Sequence, residues 1–88
     1  MTKSEFKNTL LNMKDGEKKY VTNRSRFDYD VFKLENGVYK INFYGDGYLE
    51  KTRFCNNIDA VMSSFDEERF DYKKGVIIWV KLICIVIK

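Results

Sequence analysis

The sequence predicts a single small α+β domain: a helix, an antiparallel meander of three or four strands, a second helix and a buried C-terminal strand. Three observations carry this prediction. Residues 76–87 read VIIWVKLICIVI, apolar apart from Lys81 and dominated by β-branched side chains, which favour an extended backbone. That run is shorter than the about 20 apolar residues a membrane-spanning helix needs, and it carries a charge. Asn36-Gly37 and Gly45-Asp46-Gly47 punctuate three stretches rich in aromatic and β-branched residues, the pattern of a hairpin extended into a meander. Two flanking segments carry apolar residues at helical spacing. At 88 residues the chain is one domain, 1–88, with room for one modest core.

The elements follow in order. Thr2 and Glu5 have the spacing of a capping box, and Phe6, Leu10 and Met13 form one apolar stripe, so a helix is expected over 3–14, with Gly16 ending it. Residues 18–23, around Tyr20 and Val21, form a short strand, and 23–26 turn. The next hairpin runs from 27–34 into 38–44. With Asn36-Gly37 as a two-residue loop, Leu34 faces Tyr39 and Phe32 faces Ile41, so Phe32, Leu34, Tyr39, Ile41 and Phe43 share the core face. Asp30 then opposes Phe43, and that mismatch predicts a bulge near Val31. A third strand spans 48–54. Asn57 caps a helix over 58–67, in which Ile58, Val61, Met62 and Phe65 recur at helical spacing and Asp59 suits the positive end. Gly75 turns the chain into the last strand, 76–87. Both faces of that strand are apolar, and one covering layer cannot bury both. Either the two helices lie on opposite faces of the sheet with this strand central between them, or the chain self-associates through Trp79, Ile83 and Ile85, and the second is the expectation.

Composition narrows the function. Net charge is +3 with 33% charged residues, a mixed balance unlike that of a protein coating nucleic acid. Aromatic residues reach 16% and proline is absent, which argues for a folded chain over a linker. Without histidine the chain lacks the commonest zinc ligand and general base, and Cys55 and Cys84 have no metal-ligand spacing. The N-terminus lacks an apolar signal core, so the expected compartment is the cytoplasm, where both thiols stay reduced. Gly45-Asp46-Gly47 lacks the lysine and following helix of a phosphate-binding loop, and Asp28 and Asp30 read as a solvated pair on one strand face. No catalytic residue, metal or cofactor is expected, and no membrane partner.

Two surfaces qualify as binding sites. If both hairpin turns have two-residue loops, Lys33, Lys40 and Arg53 form one cross-strand row opposite the core face, with Lys51 beside Asn42 and Tyr44 near Leu49. Like charges directly across strands cost a few tenths of a kcal/mol per pair, and an anionic partner relieves them. Basic groups with an aromatic on a sheet face also suit single-stranded nucleic acid. The second surface is the segment FDEERFDY, in which Asp66, Glu67, Glu68 and Asp71 stand beside Phe70 and Tyr72. That mixture fits a protein interface with aromatic anchors and a charged rim.

In the order helix, three strands, helix, residues 2–65 resemble a double-stranded-RNA-binding domain. At the start of its second helix that family carries a lysine cluster where this chain reads Asn57-Ile58-Asp59-Ala60, so the resemblance implies the topology and does not bring the RNA-binding function with it. In size, in richness of Lys, Asn, Tyr and Phe, and in lacking catalytic residues, the chain resembles small phage-encoded inhibitors of bacterial defence such as anti-CRISPR proteins. This second resemblance implies a non-enzymatic protein-binding module occupying a surface of a nucleic-acid-handling host enzyme, such as a CRISPR effector nuclease. Nucleic-acid binding through the basic sheet face is the alternative expectation, and a small structural or assembly subunit the third.

Overall fold

The computed structural model describes residues 1–23 and 26–79, with Trp79 described by its backbone. Helix α1 (Lys3–Leu11) leads into strands β1 (Lys18–Thr22), β2 (Phe27–Lys33), β3 (Tyr39–Gly45) and β4 (Tyr48–Cys55). Helix α2 (Ile58–Glu67) and strand β5 (Val76–Trp79) follow. The fold is the expected small α+β domain: a helix, a four-stranded antiparallel meander, a second helix and a C-terminal strand. All five strands form one sheet in the order β4-β3-β2-β1-β5. Residues 80–87, and with them the expected association residues Ile83 and Ile85, lie outside the described residues.

The capping box forms as expected. The Glu5 amide donates to the Thr2 hydroxyl at 3.1 Å, and the Thr2 amide donates to the Glu5 carboxylate at 2.8 Å. The helix stops at Leu11, short of residue 14, with Asn12 as its C-cap. A turn takes over there, because the Lys14 amide donates to the Glu17 carboxylate at 2.8 Å. Gly16 sits at φ +87°, a backbone conformation that favours glycine, and its amide donates a hydrogen bond to the Lys33 carbonyl at 2.7 Å. Met13 still reaches the core from this turn.

The hairpin between β2 and β3 corrects the expected register by one residue. Asn36 and Gly37 do take positive φ angles, 59° and 75°, but the loop holds three residues, Glu35–Gly37, and closes where the Leu34 amide donates to the Val38 carbonyl at 2.8 Å. Lys33 therefore pairs with Tyr39, Val31 with Ile41 and Tyr29 with Phe43. Side chains alternate strictly along a strand, so this single step turns all of β2 over. Tyr29 and Val31 enter the core beside Tyr39, Ile41 and Phe43, while Phe32 turns to the opposite face. The mismatch at Asp30 disappears, since Asp30 pairs with Asn42, and β2 has no bulge against β3.

The turn between β3 and β4 is the expected two-residue one. Asp46 and Gly47 sit at φ 51° and 84°, and Gly45 pairs with Tyr48. The register shifts just beyond it. Tyr44 pairs with Leu49 but Phe43 with Lys51, leaving Glu50 as an extra, bulged residue.

Both helices lie on one face of the sheet. Phe6 and Leu10 of α1, and Val61, Met62 and Phe65 of α2, share a single core with Val21, Tyr29, Val31, Tyr39, Ile41, Phe43 and Cys55. Phe70 completes it from the segment after α2, and Ile77 of β5 packs against it. The Tyr39 hydroxyl donates to the Leu10 carbonyl at 2.9 Å, satisfying the one polar atom that this large ring buries. Gly75 allows the chain to pass close to Phe70: a Cβ there would lie 2.8 Å from the ring.

Truncating Phe65 to Ala should cost about 3–5 kcal/mol, and Gly75→Ala about 1–3 kcal/mol through overpacking against Phe70. Urea denaturation followed by circular dichroism measures both. A domain of this size has on the order of 5–10 kcal/mol in total, so Phe65→Ala should leave a large unfolded fraction without denaturant.

Candidate functional site

The helix-bearing face contains most of the charged residues singled out from the sequence, and it pairs them with one another. Lys51 Nζ lies 2.8 Å from Glu68 and Arg53 Nη1 lies 3.0 Å from Glu67, with a further hydrogen bond of 3.1 Å from Arg53 to the Ser64 hydroxyl. Both cations sit over the Phe43 ring, at 4.9 and 5.5 Å from its centroid. Lys33 turns the same way, with its Nζ 3.0 Å from Asp15. The expected row of Lys33, Lys40 and Arg53 opposite the core therefore does not form. The three-residue loop turns Lys33 over, and the bulge at Glu50 turns Lys51 and Arg53 over. Lys40 and Tyr44 alone of that set lie on the helix-free face.

The acidic and aromatic segment divides: its rings Phe70 and Tyr72 turn inward, while its acids stay at the surface. Asp66 meets Lys3 at 2.7 Å and accepts the Tyr72 hydroxyl at 2.8 Å, so its carboxyl titrates below the ordinary range, through Lys3 first and Tyr72 second. Phe70 is buried, and its ring stands 5.2 Å from those of Phe6, Phe65 and Tyr72. Burial, followed by the bond to Asp66, pushes the Tyr72 phenol well above its ordinary value. Burial also pushes Tyr29 up to about 12. These residues form a seam joining α1, α2 and the approach to β5.

The other face of the sheet has no helix over it among the described residues. Pairing across the strands arranges it in three rows. Phe54, Lys40, Phe32 and Lys18 form the first; Thr52, Asn42, Asp30, Tyr20 and Ile78 the second; Leu49, Tyr44, Asp28, Thr22 and Val76 the third. Lys18 and Lys40 flank the Phe32 ring with their Nζ atoms 5.6 and 5.1 Å from its centroid. The Tyr20 phenol feels the Asp28 carboxylate and the Tyr44 phenol that of Asp30. Both phenols titrate above the ordinary value, from burial first and those carboxylates next. Phe54 and Leu49 stand out into solvent at 63% and 55% exposure. The face thus combines aromatic and aliphatic contact area with two lysines and two aspartates.

Lys18, Tyr20, Phe32, Leu49 and Phe54 were not singled out from the sequence as site residues. The signal for β2 lay in Phe27–Lys33 itself, where Tyr29 and Val31 alternate with Asp28 and Asp30. Placing both acids on the solvent face sends Phe32 there with them. No such signal marks the bulge that turns Phe54 outward.

Among the described residues, no three His, Cys, Asp or Glu side chains gather closely enough to hold a metal ion, and no helix is long and apolar enough to cross a membrane. Cys55 is a buried core residue with its sulfur 3.7 Å from the Ser64 hydroxyl; Cys84 lies outside the described residues. Compared with family models, curated proteins and solved structures, the chain matches none of them.

The tyrosines of the seam make stability fall in alkali. A phenol whose folded pKa is raised contributes stability below its ordinary pKa of about 10 and loses it as pH rises through the folded value. Melting temperature should hold up to about pH 10 and then drop. Tyr72→Phe should cost about 1 kcal/mol at pH 7 through the lost bond to Asp66, and the gap from wild type should narrow above pH 10. Thermal melts of both proteins from pH 7 to 11 test this.

Proposed function

We propose that the protein is a non-enzymatic binding module that seats its helix-free sheet face on a larger protein. The observation that carries this reading is the face left uncovered among the described residues, with Phe32 clasped between Lys18 and Lys40, Phe54 and Leu49 projecting from it, and Asp28 and Asp30 on its middle strand. Charge favours protein over nucleic acid as the partner. Two aspartates in the middle of the face repel phosphate, and they balance its two lysines. Lys33, Lys51 and Arg53, which a nucleic-acid groove would have used, are engaged by acids on the opposite side. A protein surface of mixed charge with apolar pockets complements this pattern. Size and composition point to the same mode of action, that of a small inhibitor that occupies a surface of a nucleic-acid-handling host enzyme.

The test is affinity capture from bacterial lysate with and without nuclease. The double variant Lys18→Glu/Lys40→Glu should lose captured protein by about tenfold or more, a change of about 1.4 kcal/mol. Lys7→Glu, on the helix side, should leave capture intact, and nuclease should have no effect. Capture abolished by nuclease would establish the nucleic-acid alternative, and capture unaffected by the double variant would move the site to another surface.

A further inference from the structure

Among the described residues strand β4 is one edge of the sheet, and the hydrogen-bonding groups on its outer side have no neighbouring strand there. It is also where exposed apolar area concentrates. Of the six large hydrophobic side chains that the described residues expose, Tyr48, Leu49 and Phe54 belong to this strand, at 77%, 55% and 63%. Edge strands are ordinarily guarded by charge or by a bulge, and β4 has a bulge at Glu50, but its helix-free face carries Leu49, Thr52 and Phe54 and no charged residue. Its cations, Lys51 and Arg53, point to the helix side and are already neutralised by Glu68 and Glu67.

We propose that β4 pairs antiparallel with β4 of a second copy of this chain, joining two five-stranded sheets into one. The occupant follows from the strand's complementarity to itself. A two-fold axis perpendicular to the sheet keeps each face on its own side, so a residue can oppose only residues of its own face, and the axis must pass through a residue. An axis at Lys51 sets Leu49 against Thr52, one at Arg53 sets Phe54 against Thr52, and one at Phe54 leaves Leu49 uncovered. An axis at Thr52 pairs Thr52 with itself. Counted across the bulge at Glu50, it also sets Leu49 against Phe54 of the second copy, twice by symmetry. The bulge is what makes this possible, because without it Leu49 and Phe54, five positions apart, would point to opposite faces. On the helix side Lys51 opposes Arg53 of the second copy, a meeting that Glu68 and Glu67 screen at 2.8 and 3.0 Å. This inference goes beyond the proposed function, although it shares Leu49 and Phe54 with that face, and it places self-association away from Trp79, Ile83 and Ile85.

Sedimentation equilibrium of the full chain from micromolar to near-millimolar protein should show a dimer. Leu49→Lys/Phe54→Lys, both exposed positions, should weaken that dimer by at least about tenfold, while Ile83→Glu should leave it in place. Thr52→Cys in a Cys84→Val background should form a disulfide-linked dimer on mild oxidation, because directly opposed strand residues have Cα atoms about 4.5–5.5 Å apart, within disulfide range. A chain monomeric throughout, a dimer indifferent to the lysine pair, a dimer dissociated by Ile83→Glu, or a dimer that Thr52→Cys fails to link would each overturn the proposal. Because binding to a larger protein is read with Lys18→Glu/Lys40→Glu, failure of either reading leaves the other standing.

Discussion

The structure depends on one cluster of rings. Phe6 of α1 stands 5.0 Å from Phe65, 5.2 Å from Phe70 and 5.1 Å from Tyr72, and Tyr29 ties the same cluster to the sheet through Phe43, Phe65 and Phe70 at 5.0–5.6 Å. Most of these pairs meet edge to face, an arrangement worth about 0.5–1.5 kcal/mol each beyond the area buried. Sequence-distant segments are brought together by it, so the first helix cannot pack without the second or without the turn before β5. The terminal ammonium adds a clasp at 3.2 Å to the Tyr72 carbonyl. Since every ring lies on one side of the sheet, both helices must lie there too.

That choice of side explains where the charges go. The acids of α2 and its C-cap Glu68 pair outward in two directions: Asp59 and Asp66 reach Lys7 and Lys3 of α1, and Glu67 and Glu68 reach Arg53 and Lys51 of β4. Exposed pairs of this kind contribute at most about 1 kcal/mol each, so they orient the helix more than they stabilise it. Their larger consequence is for recognition. A chain with net charge +3 engages six of its cations in ion pairs among the described residues, and the helix-free face is balanced in sign.

The bulge at Glu50 has an effect out of proportion to its size. On its two sides the same strand follows two alternations, so that Lys51 and Arg53 meet α2 while Leu49 and Phe54 both face outward. One inserted residue thereby removes cations from the open face and puts apolar area in their place. It also gives the exposed edge a pattern that complements itself.

The sequence by itself determined the local elements. The capping box at Thr2 and Glu5, the helix from Ile58, the positive φ angles at Asn36-Gly37 and the tight turn at Asp46-Gly47 all rest on interactions within a few residues, and each is present. Fold class followed from those elements and from hydrophobic period. What only the tertiary structure decided was which side of each strand faces the core, because a single residue in a loop or a bulge inverts a strand and leaves its composition unchanged. Phe32 and Val31 are both apolar, and the turn residues Asn36-Gly37 suit a two-residue loop and a three-residue one alike; only the alternation of Asp28 and Asp30 with Tyr29 and Val31 pointed to the observed side. Packing decided it: burying Tyr29 and Val31 beneath the helices leaves Asp28 and Asp30 in water, whereas burying Phe32 would have carried Asp30 into the core, at a desolvation cost of several kcal/mol.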